Sequence, residues 1–363
     1  MMKKKIGFCI DSLEMGGAEK LLVDIIELLY STNKYEIYLL TKNESNSYFY
    51  EQIKEKIKYY YLISRQNEEK NKKYGNFGKI LNSIIKRKNF KNFSSHVEIL
   101  IDFLDGDFCK FIKKEKNKKK IIWLHSEYEY LKNNKKIEKK LKYYNLIVTI
   151  TNEMYFLLKN NYNDKDVRKI YNYIDFEKIN TKLLENNEKH SLKEKEYFLT
   201  VTRLNEEHKD ITTLLKAFKE YKGKEKLYII GDGKSREELE KLTKDLEIED
   251  KVEFLGMKLN PYIYMKRAKT FILSSKGEGF GLVIAEVLFC GTKVIASDCN
   301  YGPREILLNG EIGELFQVGN VEELVKKIEN IENCSYSKDK IKDSLKRFDK
   351  KNILKKLEEI VNE

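Results

Sequence analysis

The stretch Ser274–Glu286 (SSKGEGFGLVIAE) concentrates groups that can hold a phosphorylated sugar. Glycines at 277, 279 and 281 strip side chains from a strand-to-helix turn. The N–H groups of Gly279, Phe280, Gly281 and Leu282 can then face a phosphate at a helix start. Glu278 stays in the turn and Glu286 falls two turns into the helix, where carboxylates suit sugar hydroxyls as hydrogen-bond acceptors. Glu286 is flanked by Leu282-Val283-Ile284-Ala285 and Val287-Leu288-Phe289. A carboxylate in such company is costly without a partner, so it serves either a ligand or a structural ion pair. Arg203 follows an apolar run and Lys209 lies six residues later, near a helix start. A planar fork and a point charge on one loop suit a diphosphate, unless both are solvated surface cations. Gly16-Gly17 is a third candidate, since a bare turn lets backbone N–H groups approach an anion; a tight turn alone is the competing reading.

Such groups need a strand–turn–helix scaffold, and the apolar periodicity supplies one. Ile6–Asp11, Tyr35–Leu40, Ile57–Leu62, Val97–Leu104, Ile121–Leu124 and Leu146–Thr151 read as buried parallel strands. Ala18–Tyr30, Phe77–Lys88, Leu131–Tyr144 and Asn152–Asn160 read as their crossover helices. The charge-dense stretch Glu177–Glu196 reads as a linker. Strands then resume at Tyr197–Thr202, Leu227–Ile230, Val252–Leu255, Thr270–Leu273 and Lys293–Ser297. Helices Ile211–Tyr221, Arg236–Leu246, Gly281–Cys290 and Val321–Ile331 intervene, and Asp339–Asn362 is helical by its apolar spacing. This alternation predicts an α/β protein of two Rossmann-like, doubly wound parallel-sheet domains. Their expected extents are 1–174 and 175–345, with 346–363 a C-terminal helix packing back on the first. Ligands of open parallel sheets sit beyond the carboxyl ends of the strands, so the active site is expected between the domains.

Glu278 and Glu286, with seven residues between them and the run Glu278-Gly279-Phe280-Gly281-Leu282, resemble the EX7E signature of family-four retaining glycosyltransferases. Gly16-Gly17-Ala18-Glu19 is similar to that family's N-terminal turn, and Arg203 through Lys209 to its Arg…Lys diphosphate clamp. Gly231-Asp232-Gly233, Ser297–Ile306 and Tyr171-Asn172-Tyr173-Ile174-Asp175 resemble its nucleotide-domain turn, the segment after the signature helix and the interdomain join. The resemblance implies a GT-B fold with an N-terminal acceptor domain and a C-terminal nucleotide-sugar domain facing a cleft. It places Arg203 and Lys209 on the diphosphate, Gly17 near the β-phosphate with Gly16 also in the donor site, Gly231 in the nucleotide domain, Glu286 on the ribose and Glu278 on the donor sugar. His125, after Ile121–Leu124, resembles the active-site histidine that meets that sugar. Catalysis would fall to His125, Glu278, Arg203 and Lys209, with Gly279, Phe280, Gly281 and Leu282 completing the donor site. Asp210, after Lys209, departs from the family, where glycine or asparagine is common. Retention and a UDP donor are implied by the family alone.

Clamped by two cations where charge develops, a departing diphosphate needs no metal. Asp105-Gly106-Asp107 has the spacing of metal-dependent transferases, but it lies far in sequence from the diphosphate residues. Five cysteines without CxxC spacing and four scattered histidines point to neither disulfides, zinc nor another cofactor. No apolar run reaches the ~18 residues of a membrane span, and the start lacks a signal-peptide core. The net charge of +12 is uneven: residues 1–150 carry 31 Lys+Arg against 19 Asp+Glu, and residues 151–363 carry 39 of each. An anionic partner for the first half follows. Lys113–Lys120 and Lys132–Lys142, with interleaved tyrosines, point to an anionic membrane surface. A nucleic-acid binder would need groove-reading or stacking motifs instead. The expectation is a cytoplasmic, membrane-peripheral, metal-independent retaining transferase. It would move a hexose or N-acetylhexosamine from a nucleotide sugar to a surface-glycan or polyprenyl-linked acceptor. A sugar-nucleotide epimerase or hydrolase of the same fold is the alternative.

Overall fold

The computed structural model describes residues 3–14, 16–125, 136–185, 195–299 and 302–363. The chain divides into two units, Met1–Tyr173 with Lys350–Glu363, and Ile174–Asp349.

In the first unit the strands are β1 Lys4–Cys9, β2 Tyr35–Thr41, β3 Lys58–Tyr61, β4 Ile99–Asp102, β5 Lys119–Trp123, β6 Leu146–Thr149 and β7 Asp166–Lys169. They form one sheet in the order β3-β2-β1-β4-β5-β6-β7, with every pairing parallel. Helices cover both faces, so the central strands are apolar nearly throughout; Ile6, Phe8, Leu39, Leu100, Ile121 and Ile147 are all buried. The last helix, Lys350–Asn362, belongs to this unit. It buries Ile353, Leu357 and Ile360, and Glu358 pairs with Lys34 at 2.7 Å.

The second unit has β8 Tyr197–Val201, β9 Lys226–Ile230, β10 Val252–Gly256, β11 Thr270–Leu273, β12 Lys293–Ser297 and β13 Glu314–Phe316. Their order is β10-β9-β8-β11-β12-β13, again all parallel. Strand order reverses between β1 and β4 in one unit and between β8 and β11 in the other. A reversal point opens a crevice beyond the strand ends, and the candidate residues cluster at both.

Two strands lack an apolar signal in the sequence. β7 (Asp-Val-Arg-Lys) is a polar edge strand, as edges are kept against unwanted pairing, and β13 at the other sheet's edge has only three residues, too few to show a pattern. The stretch 177–196 is not simply a linker, because Phe176–Leu184 is a helix capped by Asp175, which accepts the Lys178 N–H at 2.9 Å. Residues 186–194 lie outside the described residues, as do 131–135 of the expected helix 131–144; of its described part, 136–144, only Lys136–Leu141 is helical. Asp339–Asn362 is helical but broken. Helices Lys338–Leu345 and Lys350–Asn362 flank a 3₁₀ turn at Lys346–Phe348, where Phe348 is fully buried.

Candidate active site

In the second unit the loop after β8 rests on the turn after β9. Thr202 N–H donates to Ile230 C=O, Leu204 N–H to Asp232 C=O and Ser235 N–H to Leu204 C=O, all within 2.9–3.1 Å. A Cβ on Gly231 would stand 1.8 Å from the Thr202 carbonyl oxygen, and one on Gly233 2.3 Å from that of Leu204. Backbone-to-backbone approach is therefore the physical reason for glycine at both positions. Gly231 acts on the site through the loop it carries, with Leu204 buried as anchor and Arg203 exposed at the tip.

Lys209 ends the short helix Glu206–Lys209, and its Nζ pairs with Glu278 Oε1; the two side chains are 22% and 11% exposed. Ser275 Oγ donates to the same oxygen at 2.6 Å. The loops after β8 and β11 are further joined by Lys276 N–H to His208 C=O at 2.8 Å and Lys276 Nζ to Glu206 C=O at 2.7 Å. Asp210 has φ +41°. Asparagine, aspartate and glycine tolerate this left-handed conformation best, so the departure at Asp210 preserves the backbone. The Glu206 carboxylate accepts the N–H groups of Ile211 and Thr212 at 2.6 and 3.3 Å and so caps the next helix.

At the other loop, Gly281 has φ +84° and caps helix Leu282–Phe289. Phe280 is buried edge-on against Phe348 at 5.3 Å, so its backbone, not its ring, is what it offers a ligand. Glu286 is 7% exposed on that helix, and Tyr262 Oη donates to it at 3.4 Å.

In the first unit Gly16 is extended and Gly17 opens helix Gly17–Ser31. A Cβ on Gly17 would meet nothing within 4 Å, so packing does not require glycine there. His125 follows β5, and its backbone N–H donates to Asp105 Oδ1 at 2.9 Å. Asp105 N–H donates in turn to Trp123 C=O at 3.3 Å. The first aspartate of Asp105-Gly106-Asp107 thus braces the histidine loop. The imidazole lies 4.6 Å from the Phe103 ring and nearly parallel to Trp123. Exclusion of water by these rings pushes its pKa down to about 3, so it is neutral at pH 7. Among the described residues none hydrogen-bonds its Nε2.

Four residues that sequence reasoning passed over complete these clusters. Ser275, Tyr262 and Glu206 are the partners named above, and Asp102 is the fourth. Buried at the end of β4, Asp102 accepts Tyr144 Oη at 2.5 Å and Phe108 N–H at 3.1 Å, closing the loop that carries Asp105. Burial pushes its carboxyl up to about 7. The one signal available was a carboxylate ending the apolar run Ile99-Leu100-Ile101. The basic runs are partly consumed by structure: Lys118 Nζ donates to Val97 C=O and Lys120 Nζ to Glu115 C=O, while 132–135 lie outside the described residues.

Residues 184–352 match the family model of the glycosyl transferases group 1. The chain is 28% identical, over 96% of each sequence, to the Campylobacter jejuni N-acetylgalactosamine-N,N'-diacetylbacillosaminyl-diphospho-undecaprenol 4-alpha-N-acetylgalactosaminyltransferase. Its fold is shared with the lipopolysaccharide outer core galactosyltransferase WaaB (TM-score 0.74, 23% identity, 98% and 99% of the two chains). Anabaena HepE in complex with UDP and glucose superposes with TM-score 0.78 at 17% identity, over 99% of each chain. Residues 184–352 thus carry the match to the glycosyl transferases group 1 family, and the chain as a whole is built on the GT-B fold.

Proposed function

We propose that the chain transfers a hexose or N-acetylhexosamine from a UDP-sugar, with retention and without a metal, to a saccharide carried on a lipid diphosphate. The observation that carries this reading is the Lys209–Glu278 pair at the strand-order reversal, beside the loop of Arg203. Before the donor arrives, each charge satisfies the other. A bound diphosphate takes over the Lys209 ammonium together with the Arg203 guanidinium, and Glu278 turns to the sugar hydroxyls. As the glycosidic C–O bond lengthens, negative charge grows on the β-phosphate oxygens, where the two cations and the N–H groups at Gly281–Leu282 stabilise it. Glu286 takes the ribose hydroxyls. His125, held neutral, serves the donor sugar as a hydrogen-bonding group and not as a cation. The name of the Campylobacter relative, an enzyme acting on an undecaprenyl diphosphate saccharide, supports a lipid-linked acceptor.

The test is calorimetric titration of UDP, GDP and ADP with EDTA present, followed by proton NMR of the anomeric centre of the product. Tight UDP binding that fails in Arg203→Ala, with the donor's anomeric configuration kept, supports the reading. An absolute requirement for a divalent cation, or an inverted product, overturns it.

A further inference from the structure

We propose that the outward face of helix Gly75–Ser95 docks on an anionic lipid bilayer, with Tyr74, Phe77, Ile80 and Ile84 entering the headgroup boundary. This rests on the lipid-linked acceptor proposed above and names the surface that would bring the chain to it. The helix buries Gly78, Asn82, Phe90 and Phe93 against its own unit. On the opposite side Tyr74, Phe77, Ile80 and Ile84 are 60, 68, 59 and 57% exposed. The steps from 77 to 80 to 84 keep three of them on one helical stripe, so these are a contiguous patch and not scattered surface residues.

Charge selects the partner. From Lys70 to Val97 there is no acidic residue, while Lys72, Lys73, Lys79, Arg87, Lys88 and Lys91 are exposed cations, of which Arg87, Lys88 and Lys91 fall on the stripe's side of the helix by their spacing. A second copy of this face would bring like charge against like charge. An apolar stripe bordered by lysine and arginine is instead the make-up of a helix that lies in a membrane interface. The preceding helix, Arg65–Lys72, is locked to it: Asn71 Nδ2 donates to Asn82 Oδ1 at 2.6 Å and Lys86 Nζ to Glu68 at 2.6 Å. That helix lines a polar cavity of about 370 Å³ through Arg65, Glu68 and Lys72. Docking by the stripe would hold a cavity suited to saccharide hydroxyls beside the bilayer that carries the acceptor.

Flotation with phosphatidylcholine vesicles containing phosphatidylglycerol tests this, comparing the wild type with Phe77→Ser/Ile80→Ser/Ile84→Ser. The expected result is wild-type binding and at least a tenfold loss in the variant, with turnover of a water-soluble acceptor unchanged. Because Trp123, the single tryptophan, is fully buried, Phe77→Trp gives an independent readout. Its emission should shift to the blue on these vesicles and be quenched by brominated acyl chains. Equal vesicle binding by the triple variant, or an unmoved Phe77→Trp emission, overturns the docking. So does a wild-type dimer, or single-stranded DNA binding, that the triple variant loses. Failure of nucleotide-sugar turnover in the wild type would defeat the transferase reading alone, since the vesicle result decides the docking separately.

Discussion

Lys209 and Glu278 are 69 residues apart in the chain, yet they form an ion pair across the strand-order reversal of the second unit, with Ser275 donating to the same carboxylate oxygen. The pair leaves each group less than a quarter exposed. Two charges in such surroundings stay put only because each has a partner.

Lys209→Ala and Glu278→Ala are each expected to lower kcat/KM by roughly 10²–10³. The double variant should lose little beyond the worse single change, because the two act as one unit. Steady-state kinetics on all three variants decides this. Losses that multiply would show two independent contributions.

Gly231→Ala and Gly17→Ala should separate packing from ligand contact. At Gly231 the new Cβ meets the Thr202 carbonyl at 1.8 Å, and the φ of +136° is itself unfavourable. A loss of roughly 2–4 kcal/mol is expected, together with loss of nucleotide binding as the Arg203 loop shifts. At Gly17 the Cβ enters open space, so the variant should melt like the wild type while donor turnover falls. Parallel thermal melts and kinetics check both, and an active Gly17→Ala removes Gly17 from the donor site.

Tyr262→Phe deletes a hydroxyl that donates to the buried Glu286 carboxylate. A stability cost of about 1 kcal/mol and weaker UDP binding are expected, whereas Glu286→Gln should hold stability and lose affinity. Denaturant melts and titration calorimetry measure the two effects. Unchanged affinity in Tyr262→Phe would mean that the tyrosine does not position Glu286 for a ligand.

Asp102 and His125 should tilt the pH dependence of stability in opposite directions. Folded Asp102 keeps its proton up to about pH 7, whereas an unfolded aspartate releases it near ~3.9. The folded state therefore binds more protons in that window, and this contribution falls as pH rises. His125 is the reverse: folded it stays neutral down to about pH 3, while an unfolded histidine takes a proton below ~6.5. Its contribution rises with pH across that range. Relative to the wild type, Asp102→Asn should make Tm climb more steeply between about pH 4.5 and 6.5, and His125→Gln less steeply. Thermal melts across that interval test both signs, and parallel curves for all three proteins would contradict the burial of these groups.

Much of this protein is written in local pattern. Runs such as Ile121–Leu124 and Phe271–Leu273 are apolar on every residue because both sheet faces are covered, so they declare parallel strands without further information. Glycines at 231 and 281 and the acid–glycine alternation after Ser275 mark turns whose backbone must come close to something. The final helix was legible only in part, since its apolar spacing runs through Lys346–Phe348 and gives no warning of the break. What the tertiary structure alone decided concerns partners distant in sequence. Spacing could not join Lys209 to Glu278, because their meeting depends on which strands become neighbours at the β8–β11 reversal. Nor could it show that His125 is neutral, which follows from the rings of Phe103 and Trp123 enclosing it. Helix Gly75–Ser95 makes the same point. Its apolar residues lie on both sides, and only packing settled that Phe90 and Phe93 face the core while Phe77, Ile80 and Ile84 face outward. Secondary structure answers to neighbours in sequence, whereas charge state, burial and site geometry answer to neighbours in space.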